Sequence, residues 1–150
     1  VTGEIYSAAK GEPTQKELYK NGAFIPQILA ANERAPQTII SGKRGKNVTA
    51  GKLATALTFD IARLSSAIKY CRIAENLAGA YMRYSPSSIW DNAAGEMIAA
   101  GAGAKMIDLA TLKAPIYDAA LLKNNEFIVT AKDFLDRKDE ILRAIKQINL

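Results

Sequence analysis

Short apolar strands alternate with helices along this chain and never repeat, and that alternation constrains the fold more than any other feature. Gly3-Glu4-Ile5-Tyr6-Ser7-Ala8-Ala9-Lys10 reads as a strand closed by a turn at Gly11-Glu12-Pro13. Residues 14–36 are polar and carry Pro26 and Pro36, so a long connection with some local structure is expected there. Thr38-Ile39-Ile40-Ser41 is a short apolar strand running into the basic loop Gly42-Lys43-Arg44-Gly45-Lys46. Helix is expected from about Thr49 to Leu57 and from Ser66 to Asn76, then strand from Ala80 to Tyr84. A small-residue helix follows from Asp91 through Ala102, then strands at Ala104 to Leu109 and Glu126 to Thr130. The chain closes on an amphipathic helix, Asp133 to Ile148, with Asp133 placed as its N-cap. Such a pattern folds as a layered α/β domain, a mixed β-sheet flanked by helices. The first strand starts almost at residue 1, as though something preceded it.

Composition narrows the class. At 150 residues the chain fits one domain, 1–150, with room for a real core. Its 49% hydrophobic and 23% charged residues are ordinary for a globular protein. Twenty Lys and Arg against 15 Asp and Glu leave a net charge of +5. That balance suits an anionic ligand but lacks the clustered basic stripe of a nucleic-acid binder. The single Cys71 excludes an internal disulfide, and with no signal peptide at Val1 the chain reads as cytoplasmic. No apolar run approaches the length needed to span a membrane. There is no histidine, so His metal ligands, Ser-His-Asp triads and His general bases are impossible within this chain.

Four places could carry chemistry. In Ile89-Trp90-Asp91-Asn92-Ala93-Ala94-Gly95, Asp91 stands at the expected start of the small-residue helix. The plain reading is an N-cap beside a core tryptophan, and the sharper one is a metal ligand that needs further carboxylates. The loop Lys43-Arg44-Gly45-Lys46 offers cations suited to a phosphate, or is simply a solvated loop. Ser65-Ser66-Ala67-Ile68-Lys69 lies at a helix start where a hydroxyl and a lysine could meet an anion; the alternative is a Ser N-cap with an exposed Lys. Arg83 lies in the strand before the Asp91 helix, where it is either an anion contact or a surface residue. Together these describe an anion site beside a carboxylate, the arrangement a metal-assisted phosphatase needs.

The Trp90-Asp91-Asn92-Ala93-Ala94-Gly95 segment, with Gly101-Ala102-Gly103 after it, resembles the C-terminal signature of the inositol monophosphatase superfamily. Within the superfamily it is most similar to the 3'(2'),5'-bisphosphate nucleotidases. Tyr6-Ser7-Ala8-Ala9-Lys10-Gly11 resembles their strand and turn after the central sheet. Ser66 with Lys69-Tyr70-Cys71 resembles their Ser-x-x-Lys-Phe/Tyr-Cys helix start, and Arg83 falls where they carry a substrate-binding arginine. The resemblance implies the C-terminal domain of the superfamily's αβαβα sandwich. It also implies a phosphoric monoester hydrolase that removes the 3'-phosphate of adenosine 3',5'-bisphosphate with Mg²⁺-activated water. Asp91 would then be a metal ligand, and Ser66, Lys69, Arg83, Ser41 and Arg44 would contact substrate.

Two departures limit what carries over. Where the nucleotidases have Ser-Arg-Ser-His, this chain has Ser41-Gly42-Lys43-Arg44, so Arg44 replaces the histidine. More important, the family's upstream glutamate and its Asp-Pro-x-Asp-Gly-Thr segment have no counterpart; Asp60 and Asp108 lack the required neighbours. No catalytic residue is therefore assigned, and the isolated chain is expected to be inactive. It reads as the C-terminal half of a longer enzyme whose N-terminal metal-binding half is absent. That half would come from a complementing chain, or the exposed sheet edge would pair in a homodimer. Inositol 1-phosphate and fructose 1,6-bisphosphate are the alternative small phosphorylated substrates. The other class of function is a non-catalytic remnant or binding domain, with neither nucleic-acid polymer nor membrane as partner.

Overall fold

The structure, a computed structural model, describes residues 3–30, 32–43 and 48–148. It opens with three strands, β1 (Glu4–Ser7), β2 (Gln15–Lys20) and β3 (Ala23–Gln27). Next come β4 (Thr38–Gly42), α1 (Val48–Leu57), β5 (Asp60–Leu64), α2 (Ile68–Ala74) and β6 (Ala80–Arg83). A two-residue strand β7 (Ser87–Ser88) leads into a 3₁₀ turn at Ile89–Asp91, then α3 (Ala93–Gly101) and β8 (Lys105–Asp108). The chain ends with β9 (Lys123–Asn124), β10 (Phe127–Thr130), a 3₁₀ segment at Lys132–Arg137 and α4 (Lys138–Ile148).

The most apolar runs build one mixed sheet in the order β5-β4-β6-β10-β8. β4 is parallel to both β5 and β6, whereas β10 is antiparallel to both β6 and β8. All four residues of β10 are buried, as are the first three of β6, because both strands lie inside the sheet with helices packed over it. The helices pack in pairs, α1 against α4 and α2 against α3. This is the expected mixed α/β architecture. β5 was not foreseen as a strand: it is the sheet's outer strand, with three of its five residues exposed, so it lacks a continuous apolar run.

The largest difference from expectation lies at residues 14–36. Instead of an irregular connection, β2 and β3 form a hairpin, and β1 joins them in a separate sheet of order β1-β2-β3. The hairpin loop is Asn21-Gly22, with φ of 53° and 81°. Two positive φ values in a two-residue loop match the right-handed twist of the flanking strands, which is why Asn-Gly marks such turns. Pro26 is tolerated because β3 is an edge strand. Among the described residues β1 pairs only with β2, at one edge of this sheet.

This small sheet is fastened by polar contacts. Glu75, at the end of α2 and 1% exposed, accepts hydrogen bonds from Tyr6 Oη (2.8 Å), Lys16 Nζ (2.5 Å) and Arg72 Nη1 (2.5 Å). Burial and that bond to Glu75 push the Tyr6 hydroxyl up to about 12. Thr14 adds a second fastening, donating from Oγ1 to the Ile98 carbonyl (2.6 Å) and from its N–H to the Gly101 carbonyl (3.1 Å). A Cβ at Gly101 would lie 2.4 Å from Thr14 Oγ1, so only glycine lets α3 approach this closely.

The closing helix also differs in detail. Its first turns are 3₁₀, and Asp133 does not cap it; Asp133 Oδ2 instead accepts the Ala35 N–H at 3.0 Å. The apolar face holds: Phe134, Ile141 and Ile145 are buried, with Leu142 and Ile148 packed beside them.

Candidate functional site

The C-terminal ends of β4 and β6 and the start of α2 enclose a cavity of about 580 Å³, walled by Lys43, Ser66, Lys69, Tyr81 and Arg83 among others. A second cavity of about 300 Å³ shares Ser66, Lys69, Tyr81 and Arg83 and adds Trp90 and Asp91. The fold therefore brings together four residues singled out in the sequence: Ser66, Lys69, Arg83 and Asp91.

Ser66 precedes α2 in a left-handed conformation, φ 66°, which is uncommon for a residue with a Cβ. It is not the N-cap; Ala67 holds that position, with no side-chain cap bond. The kink instead aims the Ser66 carbonyl at Lys69, whose Nζ donates to it at 2.5 Å. Lys69 is not the exposed lysine of the plain reading but is 7% exposed, with Nζ 4.9 Å above the centroid of the Tyr81 ring. Burial, and secondarily the neighbouring Arg83 guanidinium, lower the Lys69 pKa, while Asp91 opposes them. A desolvated ammonium beside a guanidinium makes a local positive field that a phosphate dianion relieves. Arg83 is partly exposed and is held loosely, donating to the carbonyls of Ser85 and Pro86 at 3.4 Å each.

Asp91 ends the 3₁₀ turn and does not cap α3. Asn92 occupies that boundary, so the Asp91 carboxylate is exposed on the cavity wall, free of a capping role. Asn92 itself is 1% exposed and pinned: its Oδ1 accepts from Tyr70 Oη at 2.9 Å, and its Nδ2 donates to Ser87 Oγ at 2.5 Å. Gly95, one turn on, lies against the Tyr70 ring, where an added Cβ would be 2.3 Å from Cδ2. Tyr70 is itself locked edge-on to Tyr81 and stacked near Phe127, at centroid distances of 5.1 and 6.2 Å. The segment carrying Asp91 is thus fixed from beneath. Sequence reasoning missed Asn92, and its only signal was an amide beside the acid. It also misplaced Trp90, which is no core residue but is 67% exposed.

Ser41 is not brought to the cavity. It is fully buried in β4, its Oγ has no hydrogen-bond partner among the described residues, and Gly42 and Lys43 line the wall in its place. Arg44 lies outside the described residues.

Magnesium takes six oxygens in a near-octahedral array. Among the described residues no group of three or more His, Cys, Asp or Glu could hold a metal ion. Asp91 has Lys69 and Arg83 for company on its cavity wall, so these residues alone do not fit the ion; Asp91 can supply one corner of a site.

The family model of the inositol monophosphatase family matches residues 1–148. The chain belongs to the inositol monophosphatase family. Among relatives of this inositol monophosphatase family member, the 3'(2'),5'-bisphosphate nucleotidase CysQ of Escherichia coli is 32% identical over 108 residues, covering 72% of this chain and 42% of the relative. The 3'(2'),5'-bisphosphate nucleotidase of Emericella nidulans is 29% identical, covering 97% of this chain and 45% of its own length. In structure the chain is similar to CysQ from Bacteroides thetaiotaomicron, a bacterial member of the family. That match has a TM-score of 0.69 and 25% identity, covering 86% of this chain and 54% of the other. Mycobacterium tuberculosis SuhB shares the fold, with a TM-score of 0.65 at 23% identity over 97% of this chain and 55% of that one. The chain spans less than half the length of the curated relatives it matches, 42% and 45% for the two above. Among the described residues no helix is long and apolar enough to cross a membrane.

Proposed function

We propose that this chain is the substrate-side, C-terminal portion of a 3'(2'),5'-bisphosphate nucleotidase, forming one domain over residues 1–150. The observation that carries the reading is the convergence of Ser66, Lys69 and Arg83 with the Asp91 carboxylate on one cavity wall. The two cations hold phosphate oxygens, Arg83 through its fork of N–H donors and Lys69 as a point charge. Ser66 adds a hydroxyl donor, and Lys43 extends the positive wall toward a second phosphate. Asp91 would contribute one ligand to a divalent cation, Mg²⁺ in this reading, with its other ligands supplied from outside these residues; such a cation would polarise the phosphate and activate water. The net reaction adds water across the 3' P–O bond of adenosine 3',5'-bisphosphate, releasing orthophosphate and the 3'-hydroxyl. A complementing chain would complete the site, and the open β1 edge is where such a chain, or a second copy, would pair. A cytoplasmic location accompanies this reading, the lone thiol of Cys71 being suited to a reducing compartment.

The test is reconstitution. The chain is combined with the portion of the Escherichia coli relative outside the matched region, and phosphate release is measured with and without Mg²⁺. Release from adenosine 3',5'-bisphosphate, abolished in Asp91→Asn, is expected. Faster release from inositol 1-phosphate or fructose 1,6-bisphosphate would transfer the reading to a sugar phosphatase, and no release from any substrate would favour a non-catalytic binding domain.

A further inference from the structure

We propose that the buried bonds Tyr70–Asn92–Ser87 form a spacer clamp, with Asn92 as its positioning residue. The clamp holds the Asp91 carboxylate off the Lys69 and Arg83 cations, so that both stay open to a phosphate. It presupposes the anion site proposed above and adds what keeps that site from neutralising itself. The observation behind it is an attraction left unsatisfied. Asp91 shares a cavity wall with Lys69 and Arg83, and its charge reaches the Lys69 ammonium. Opposite charges on one wall gain most by closing into a hydrogen-bonded pair. Among the described residues, however, Asp91 forms no ion pair. Each cation turns instead to neutral acceptors of its own segment. Lys69 donates to the Ser66 carbonyl at 2.5 Å, and Arg83 to the carbonyls of Ser85 and Pro86 at 3.4 Å each. Had the acid paired, a phosphate would first have to break that pair.

What holds the acid away lies beneath it. An aspartate side chain is short, so the reach of its carboxylate is set largely by its backbone. Asn92, the next residue, is buried, and both polar atoms of its side chain are engaged. Its Oδ1 accepts from Tyr70 Oη at 2.9 Å, while its Nδ2 donates to Ser87 Oγ at 2.5 Å and to the Ser88 carbonyl at 3.4 Å. Tyr70 follows Lys69 directly on α2, so one hydrogen bond joins the residue after the cation to the residue after the acid. Ser87 is buried too, on β7 where it pairs with Asn124 of β9. Three elements, α2, β7 and the start of α3, therefore meet at the Asn92 amide. A buried polar network whose members are satisfied rigidifies its surroundings and specifies one arrangement. The Ser-x-x-Lys-Phe/Tyr-Cys pattern admits Phe where this chain has Tyr70, so the hydroxyl that closes the clamp is separate from the pattern that marks the anion site.

The test is a double-mutant cycle read by phosphate binding. Calorimetry measures the affinity for inorganic phosphate of the chain, of Asn92→Ala, Tyr70→Phe and Asp91→Asn, and of each of the first two combined with Asp91→Asn. Urea unfolding checks that every variant is folded. Asn92→Ala is expected to weaken phosphate binding by about ten-fold, on the order of one charge-assisted hydrogen bond that phosphate must displace. Tyr70→Phe is expected to weaken it less, because Ser87 still holds the amide. In the Asp91→Asn background neither change is expected to alter phosphate affinity, since no carboxylate remains to close on the cations. Weakening that persists in that background would make Asn92 a general structural support and overturn the clamp. Phosphate affinity unchanged by Asn92→Ala and Tyr70→Phe would also overturn it, while leaving the nucleotidase reading standing. Should Asn92→Ala fail to fold, Tyr70→Phe, which keeps the packed ring, carries the same cycle. Failure of the unmodified chain to bind phosphate at millimolar concentration would overturn the anion site and the clamp with it.

Discussion

The two sheets of this molecule are held by different physics. In the five-stranded sheet, β6 and β10 are buried on both faces, and Tyr70, Tyr81 and Phe127 interlock above them with centroid distances between 5.1 and 6.2 Å. In the three-stranded sheet, every residue of β3 is exposed, and Tyr19 and Phe24 meet each other at 5.1 Å on the surface. What fastens that sheet to the body is polar: the buried carboxylate of Glu75, with Lys16, Arg72 and Tyr6 around it, and the Thr14 bonds to α3. Apolar burial is non-directional and tolerates small shifts, whereas a buried ion cluster fails when one member goes. The candidate site is built on the first kind of support and borders the second only through α2.

Breaking each support separately should expose this difference. Glu75→Ala leaves Lys16 and Arg72 without their shared buried partner and is expected to cost about 3 kcal/mol, the lower end for such pairs because both cations retain some water contact. Hydrogen exchange should accelerate in β1–β3 well before β6 and β10; uniform acceleration would show that the two sheets unfold as one unit. Gly95→Ala forces a Cβ into the immobile Tyr70 ring and is expected to cost about 2 kcal/mol by urea unfolding. It should also weaken adenosine bisphosphate binding, because the Asp91 segment rides on that contact, while exchange in β1–β3 stays unchanged. The smallest effect concerns Cys71, on the helix between the two sheets. Burial, with the Glu75 charge adding to it, pushes its thiol up to about 11 from an ordinary 9.0. A raised folded pKa means that its contribution to stability is complete below pH 9 and is lost as pH rises through about 11. Thiol-specific reagents at neutral pH should therefore label the folded chain far more slowly than the urea-unfolded one; equal rates would show that α2 opens freely.

Legibility in the sequence followed the same division. β4, β6, β8 and β10 stood out because strands buried in a sheet read as apolar runs. The β2–β3 hairpin was overlooked because its residues are mostly polar and exposed, although Asn21-Gly22 carried a local sign of it. At the site, Ser66, Lys69, Arg83 and Asp91 were identified from residue type and resemblance, and the fold places all four on one wall. Ser41 went the other way: identical reasoning put it at the site, but its strand position buries it.

Residue order alone determined the mixed α/β class, the helices, the family membership carried by Trp90-Asp91-Asn92-Ala93-Ala94-Gly95, and the absence of histidine chemistry. The class and the helices follow from periodicity, the exclusion of histidine chemistry from composition, and the family from a motif; all are local. Tertiary structure decided whether each side chain faces protein or water. It buried Lys69 over Tyr81, freed Asp91 by giving the helix boundary to Asn92, and left the indole of Trp90 facing outward beside two cations. Each of these depends on neighbours distant in sequence, such as Tyr81 beneath Lys69 and Tyr70 beneath Asn92, so no local pattern along the chain could encode them.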